Sequence, residues 1–466
     1  MNLKGLHSVY FLGIGGIGMS AIARWFNYIG VPVYGYDKTP SPLTETLSRE
    51  GIAITYVDAI DQLPPDFASD TNNRLVIWTP AIPQNSVLKN HLIQAGYVLK
   101  KRAEVLGMIT EKMYTVAVAG THGKTTTSSL VAHLLKHAGK NIAAFLGGLT
   151  QNYQNNLILH DEGSEENPVV VVEADEFDRS FLHLHPNISI VTSADPDHLD
   201  IYGDASHLLE GFRSFIQLTN PSGKLFIQNK ALQKLGKNAL GNTAIYEYGL
   251  ESMDIKATGI HAGIKGFSFD YVAGDVKIAS LLLPIPGFHN IENALAAISV
   301  ALHVGVTADQ VRSGLATYLG VKRRFEVVYQ DENRVYIDDY AHHPEEIRSF
   351  LSSVRAIYPD KKITAVFQPH LFTRTRDFAE GFSESLSLAD EVILLDIYPA
   401  RELPIPGVES EMLLDGITSA KKGLKAKEEL ISYLEQQQPE VLVTIGAGDI
   451  DRLVLPISNW MQHAKA

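Results

Sequence analysis

Twice in this chain a run of apolar residues stops at a glycine loop, and the loop opens into a helical pattern. The first instance is Val9–Leu12 followed by Gly13-Ile14-Gly15-Gly16-Ile17-Gly18. The second is Thr115–Ala119 followed by Gly120-Thr121-His122-Gly123-Lys124-Thr125-Thr126-Thr127. A strand that turns within a few residues into a helix packed on its own sheet begins a βαβ unit. Each loop therefore predicts a parallel sheet covered by helices, and two such starts predict two separate α/β domains.

The rest of the pattern is consistent with three domains, the number that 466 residues suggests at roughly 150 per domain. Strands are predicted at Val31–Tyr36, Ile52–Val57, Leu75–Trp78 and Tyr97–Leu99, with helices at Ile17–Tyr28 and Ala103–Thr110. They make residues 1–110 a Rossmann-like domain. Residues 111–321 add strands Val169–Val172, Ile188–Thr192 and Lys224–Gln228 to Thr115–Ala119. From Ala244 to Leu283 short alternating segments with glycine punctuation predict a smaller antiparallel sheet. Helices Ile291–Val304 and Ala308–Tyr318 are preceded by Asn290 and Thr307, both good N-cap types. Gly320 and Lys322-Arg323-Arg324 mark the next boundary. Strands at Val335–Ile337, Ile363–Phe367, Val392–Leu395 and Val441–Ile445 then predict a C-terminal doubly wound α/β domain over residues 322–466.

Composition excludes several function classes. Lys plus Arg number 40 against 53 Asp plus Glu, a net charge of −13, so neither a nucleic-acid groove nor an anionic membrane patch is expected. With no cysteine, disulfides, thiolate metal sites and a cysteine nucleophile are ruled out. Met1–Tyr10 lacks a charged segment followed by a free-standing apolar run, and no apolar run approaches the ~20 residues that span a bilayer. A cytoplasmic enzyme is the expectation.

In the first loop, glycines let backbone N–H groups approach a diphosphate at the positive end of a helix. Asp37 ends the next strand, where a carboxylate can accept from ribose hydroxyls. A nicotinamide dinucleotide and another diphosphate nucleotide fit this spacing equally. The second loop is a phosphate loop, shorter than the general form because position 118 is Val. Its amides cradle phosphates, Lys124 reaches the β and γ oxygens, and the Thr125 hydroxyl can ligate Mg²⁺. Val169–Val172 runs into Glu173-Ala174-Asp175-Glu176-Phe177-Asp178, and Glu173, nearest the strand end, is the metal candidate. Glu176 and Asp178 suit a solvated acidic loop. His198, in Asp197-His198-Leu199-Asp200, could bind a second divalent ion or be structural.

Taken together, the Gly120–Thr127 loop, Glu173–Glu176, Asp197–Asp200, His289-Asn290-Ile291-Glu292-Asn293-Ala294 and Asp338-Asp339-Tyr340-Ala341-His342-His343-Pro344 resemble the Mur ligase family. These are ATP-dependent, amide-bond-forming enzymes of bacterial peptidoglycan synthesis. Gly13–Ser20, Phe367-Gln368-Pro369-His370, Thr373-Arg374-Thr375-Arg376 and Tyr398–Glu402 are similar to the member that adds L-alanine to UDP-N-acetylmuramate. The resemblance covers essentially the whole chain. It implies that Gly13, Gly15, Gly16, Ile17, Gly18, Asp37, Thr79 and Ala81 hold the UDP-sugar. It assigns ATP to Gly120, Thr121, His122, Gly123, Lys124, Thr125, Thr126, His289, Asn290, Asn293, Arg324 and Asp339. Thr125, Glu173 and His198 would hold Mg²⁺ or Mn²⁺. Tyr340, His342, Arg374 and Arg376 would bind the amino acid, with Lys124, His342 and His343 catalytic.

Read from the residues alone, Asn293 is a helix-surface amide, Arg324 a solvated charge, and Arg374 and Arg376 ion-paired cover for a helix start. Two departures from the family pattern stand out. Several relatives carry a carbamylated lysine after the metal histidine, whereas residues 203–215 contain none, and Leu371 follows His370 where some relatives have a basic residue. The resemblance implies phosphoryl transfer from ATP to the lactyl carboxylate, then attack by the alanine amine on the acyl phosphate. A relative that recycles a whole tripeptide onto the same sugar nucleotide is the alternative. The substrates would be the only partners, and a monomer or weak homodimer is expected. Closure of the third domain is expected to exclude water, with Gly320–Phe325 as the hinge.

Overall fold

A computed structural model describes residues 3–68, 71–160, 167–195, 204–241, 243–252, 254–400 and 402–463. Its strands form three sheets. The chain divides into two compact units, one of residues 1–256, 271–277 and 292–314, the other of residues 257–270, 278–291 and 315–466.

In the first unit, the strands β1 (Ser8–Leu12), β2 (Val33–Tyr36), β3 (Ala53–Thr55), β4 (Arg74–Trp78) and β5 (Val98–Lys101) make a parallel sheet in the order β3-β2-β1-β4-β5. All five residues of β1 are buried, as a central parallel strand covered on both faces requires. The strand order reverses at β1, so the crevice beyond its C-terminal end lies over the first glycine loop. The predicted Val31–Tyr36 and Ile52–Val57 strands are shorter in the structure. Only the segments that face a paired neighbour keep strand geometry.

The second sheet is built from β6 (Thr115–Ala119), β7 (Ile142–Phe145), β8 (Leu157–Leu159), β9 (Val169–Glu173), β10 (Ile188–Val191), β11 (Lys224–Gln228), β12 (Ala244–Tyr248), β13 (Ile255–Gly263), β14 (Gly266–Ala273) and β15 (Val276–Leu283). The order is β15-β14-β13-β12-β11-β10-β6-β9-β7-β8. β6 pairs in parallel with both β9 and β10, which brings the phosphate loop between the ends of those two strands. The expected antiparallel strands β13–β15 are joined by two-residue turns, and they extend the parallel sheet through Tyr248 and Ile255 instead of forming a sheet of their own. Asn290 does not cap its helix. The helix runs Phe288–His303, the Asn290 amide donates to Gly287 O, and the side chain donates to Pro286 O at 2.6 Å. Thr307 does cap, exchanging bonds with Gln310.

In the second unit, β16 (Glu326–Gln330), β17 (Val335–Asp339), β18 (Ile363–Phe367), β19 (Glu391–Leu394), β20 (Lys421–Leu424) and β21 (Val441–Ile445) make a sheet ordered β16-β17-β21-β18-β19-β20. Only β16 runs antiparallel to its neighbour. β17, β18 and β21 are fully buried and end at the same edge, placing Asp339, Gln368 and Gly446 together. Among the described residues, no helix is long and apolar enough to cross a membrane.

Candidate active site

The first glycine loop is held from two sides. Gly13 and Ile14 donate to Tyr36 O, and Gly13 takes the left-handed φ of +88° that a side chain would resist. Gly15 N donates to Asp37 Oδ2 at 2.7 Å, so the Asp37 carboxylate braces the loop itself. The Thr79 methyl packs where a Cβ on Gly13 would sit, which brings the Thr79–Ile82 turn of β4 against the loop of β1. No side chain caps the helix Ile17–Tyr28, leaving its positive end for an anion.

The phosphate loop is held more tightly. Gly120 and Gly123 have φ of +140° and +80°; a Cβ on the first would overlap Thr192, and on the second Asn293 Oδ1. Thr192 and Ser193, beyond β10, bond the loop from below. The Ser193 hydroxyl accepts from His122 N at 2.7 Å and meets Thr121 Oγ1 at 2.9 Å, and Thr192 Oγ1 donates to His122 O. Asn293 accepts from Thr127 Oγ1 at 3.0 Å and is 5% exposed, so it is a buried brace of the loop and not a surface amide. The hydroxyl-bearing residues Thr125 and Thr126 are buried in the first turn of the helix Lys124–His137.

Four carboxylates around the end of β9 take four different partners. Glu173 accepts from Gly147 N at 2.9 Å, Asp175 pairs with Arg102 at 3.2 Å, Glu176 with Lys124 at 2.8 Å, and Asp178 with Lys101 at 3.0 Å. Glu176, read from sequence as a solvated loop acid, has a fully buried side chain. Lys124 also donates to Gly120 O at 2.6 Å. Burial alone would lower the Lys124 pKa, but Glu176, Asp175 and Glu173 outweigh it and hold the ammonium above the usual lysine range. A cavity of about 130 Å³ lies beside the first glycine loop, lined by Gly18, Arg102, Gly147, Glu173 and Asp175 among others.

In the second unit the groups gather at the ends of β17 and β18. Asp339 accepts from Phe325 N at 2.7 Å and Ala341 N at 2.8 Å. Burial raises its pKa to about 6 against the opposing pull of Arg324. Arg324, read alone as a solvated charge, is half-buried, 3.8 Å from Glu346 and over the Tyr340 ring. Arg323 sits at φ +61° and bonds the buried Asp338 at 3.0 Å and Gly446 O at 2.6 Å. His289 is half-buried, bonds Ser349 Oγ at 2.8 Å, and is pushed down to about 4 by desolvation and then by Arg324.

The two neighbouring histidines differ in placement. His343 is the buried N-cap of the helix Pro344–Ile357, where its Nδ1 accepts from Glu345 N. His342 is 17% exposed, lies 3.4 Å from Glu346, and its ring is 6.1 Å from that of His370. His370 in turn stacks on Tyr398. Arg374 is 8% exposed, whereas Arg376 is half-exposed and bonded to Asp377 at 2.7 Å, so these two arginines are not equivalent. His198 lies outside the described residues.

Three family models match in succession. The Mur ligase family catalytic domain covers residues 8–114, the Mur ligase middle domain 118–301, and the Mur ligase glutamate ligase domain 323–448. The chain belongs to the Mur ligase family. It has the three-domain α/β Mur ligase fold. Among its relatives, UDP-N-acetylmuramate–L-alanine ligase of Flavobacterium psychrophilum is 49% identical over 99% of this chain and 100% of that protein. The ligase of the same name from Cytophaga hutchinsonii is 44% identical over 98% and 97%. The crystal structure of UDP-N-acetylmuramate–alanine ligase from Thermotoga maritima aligns at a TM-score of 0.81 with 28% identity, covering 98% of this chain and 99% of that one. A murein peptide ligase from Psychrobacter arcticus aligns at 0.69 with 22% identity over 98% of both chains, which bears on the fold alone.

Sequence reasoning missed Arg102, Gly147, Thr192 and Ser193 around the loops of the first unit, and Glu346 and Ser349 in the second; Glu402, quoted in the Tyr398–Glu402 motif, turns out to hold Thr373 N at 3.0 Å. Arg102 had a usable signal, because it follows a parallel strand at the end where ligands gather. Glu346 had a weaker one, four residues beyond His342 on a helix start. Thr192 and Ser193 carry no local mark.

Proposed function

We propose that this chain joins L-alanine to the lactyl carboxylate of UDP-N-acetylmuramate, releasing ADP and phosphate in peptidoglycan precursor synthesis. The family is ATP-dependent, which implies ATP and a divalent metal. The observation that carries the reading is the cavity that Gly18 and Arg102, beside a diphosphate-type helix end, share with Glu173 and Asp175, beside the phosphate loop. An acid held against the first loop there meets a γ-phosphate held by the second.

The carboxylate oxygen attacks the γ-phosphorus, the bond to ADP breaks, and an acyl phosphate forms. Two anions approach in that step, so Lys124 and the loop amides supply the neutralising charge. Gly120 and Gly123 suit the loop because their left-handed conformations, with Thr192 and Asn293 packed against them, leave no room for a Cβ. The Thr125 hydroxyl and the Glu173 carboxylate are the hard oxygen donors that Mg²⁺ takes, with His198 the further candidate. When bound, the metal screens phosphate charge. The alanine amine then attacks the acyl carbon, the bond to phosphate breaks, and the amine proton passes to His342, the more accessible histidine of the pair. Arg374 takes the alanine carboxylate, with Tyr340 beside the site. His289, Asn290, Arg324 and Asp339 belong on the ATP side, and Thr79 and Ala81 on the UDP side.

The test is phosphate release by the purified chain with each substrate omitted in turn, using sugar nucleotide labelled with ¹⁸O in its lactyl carboxylate. One labelled oxygen is expected in the released phosphate. Unlabelled phosphate would sink the acyl-phosphate step, and turnover with tripeptide but not L-alanine would move the chain to the recycling reaction.

A further inference from the structure

We propose that Arg102 is a positioning residue that ties the sugar-nucleotide site to the phosphate-transfer site; this rests on the functional reading above. Arg102 opens the helix Arg102–Thr110 directly after β5, at the carboxyl edge of the first sheet. Its aim is set locally. Glu104 accepts from Lys101 N at 2.7 Å and from Lys100 Nζ at 2.9 Å, which pins the first turn. From there the guanidinium lies so close over Gly18 that a Cβ on that glycine would overlap Nη1. A side chain at 18 would displace the guanidinium from its place over the positive end of the helix Ile17–Tyr28.

The other side of the same guanidinium donates to Asp175 at 3.2 Å, and Asp175 is one of the three carboxylates that raise Lys124. Arg102 therefore touches the field of both loops at once. A guanidinium has five N–H donors in a fixed fork, enough to hold a carboxylate on one edge and a second anion on the other. Both sources of that second anion belong to the sugar nucleotide, its diphosphate or its lactyl carboxylate. An anion held by Arg102 weakens the pull of Arg102 on Asp175, which strengthens the charge that Asp175 presents to Lys124. Occupancy of the first site then changes affinity for nucleotide at the second, and the coupling is reciprocal.

The neighbouring Lys101–Asp178 pair supplies the control. It joins the same two segments but is more exposed than the Arg102–Asp175 pair and does not line the cavity. Calorimetry on the full chain gives the affinity of a non-hydrolysable ATP analogue with and without UDP-N-acetylmuramate, UDP-N-acetylglucosamine or UDP. In the parent protein the sugar nucleotide is expected to change analogue affinity by five-fold or more. R102Q should reduce that factor to one and raise the sugar-nucleotide KM about ten-fold, R102K should restore part of both, and K101Q should leave both as they were. If the coupling survives with UDP, the diphosphate is the anion. If it needs the lactyl group, the carboxylate is. Coupling that persists in R102Q, or that K101Q removes as well, would overturn the proposal. A parent chain that binds no UDP-N-acetylmuramate would instead overturn the functional reading.

Discussion

Substituting Glu176 by Leu strands the Lys124 ammonium beside the phosphate loop, and the structure sets the size of the effect. Lys124 Nζ lies 2.8 and 2.9 Å from the two Glu176 oxygens, and the carboxylate is fully buried. Unit charges about 3 Å apart attract by roughly 6 kcal/mol at an effective dielectric near 20. Desolvation of both groups offsets much of this, so removing one partner of such a pair costs about 3–5 kcal/mol while removing both is near neutral. Asp175 and Glu173 also act on Lys124, which places E176L at the lower end, about 3 kcal/mol. K124M leaves Glu176 stranded at a similar cost. The double variant should return to within about 1 kcal/mol of the parent, a coupling near 5 kcal/mol. Native-state hydrogen exchange of the amides in Thr115–Ala119 and Val169–Glu173 reads these local free energies. Singles costing under about 1 kcal/mol, or a double equal to their sum, would show that the pair is not the buried link described here.

The remaining predictions concern chemistry and pH. The K124M/E176L protein, though restored in stability, should release phosphate about 10²–10³-fold more slowly than the parent, the loss of one preorganised donor. R374K should raise the KM for L-alanine at least ten-fold, whereas R376K should not change it. His289, neutral when folded, has a pKa lowered from 6.5 to about 4, so stability is full above 6.5 and falls as acid takes the pH through that window, by roughly 3 kcal/mol. Asp339 runs the other way: raised from 3.8 to about 6, its carboxyl contributes stability below 3.8 that is lost as pH rises through 6. The two nearly cancel in the parent. Denaturant melts of H289Q should therefore show stability rising on acidification from pH 6 to 4, and a flat profile in that variant would refute the opposed shifts.

Local order determined a good deal here. Two strand–glycine–helix transitions are short-range events, because a chain that must reverse against its own strand needs glycine at stated offsets. Their positions, Lys124 and the acid-tipped strand at Glu173 were readable from residue order. So was the Thr307 helix cap, a bond across three residues. Only the tertiary structure decided which carboxylate faces which cation. Glu173, Asp175, Glu176 and Asp178 span six residues, yet their partners are Gly147, Arg102, Lys124 and Lys101, brought in by three strands and two helices. Burial separates Glu176 from a solvated acid and Arg374 from Arg376, and burial depends on what the rest of the chain places overhead. Thr192 and Ser193 reach the phosphate loop through the pairing of β10 with β6. Their type and spacing carry no trace of it, because sheet register is settled by contacts between segments far apart in the chain.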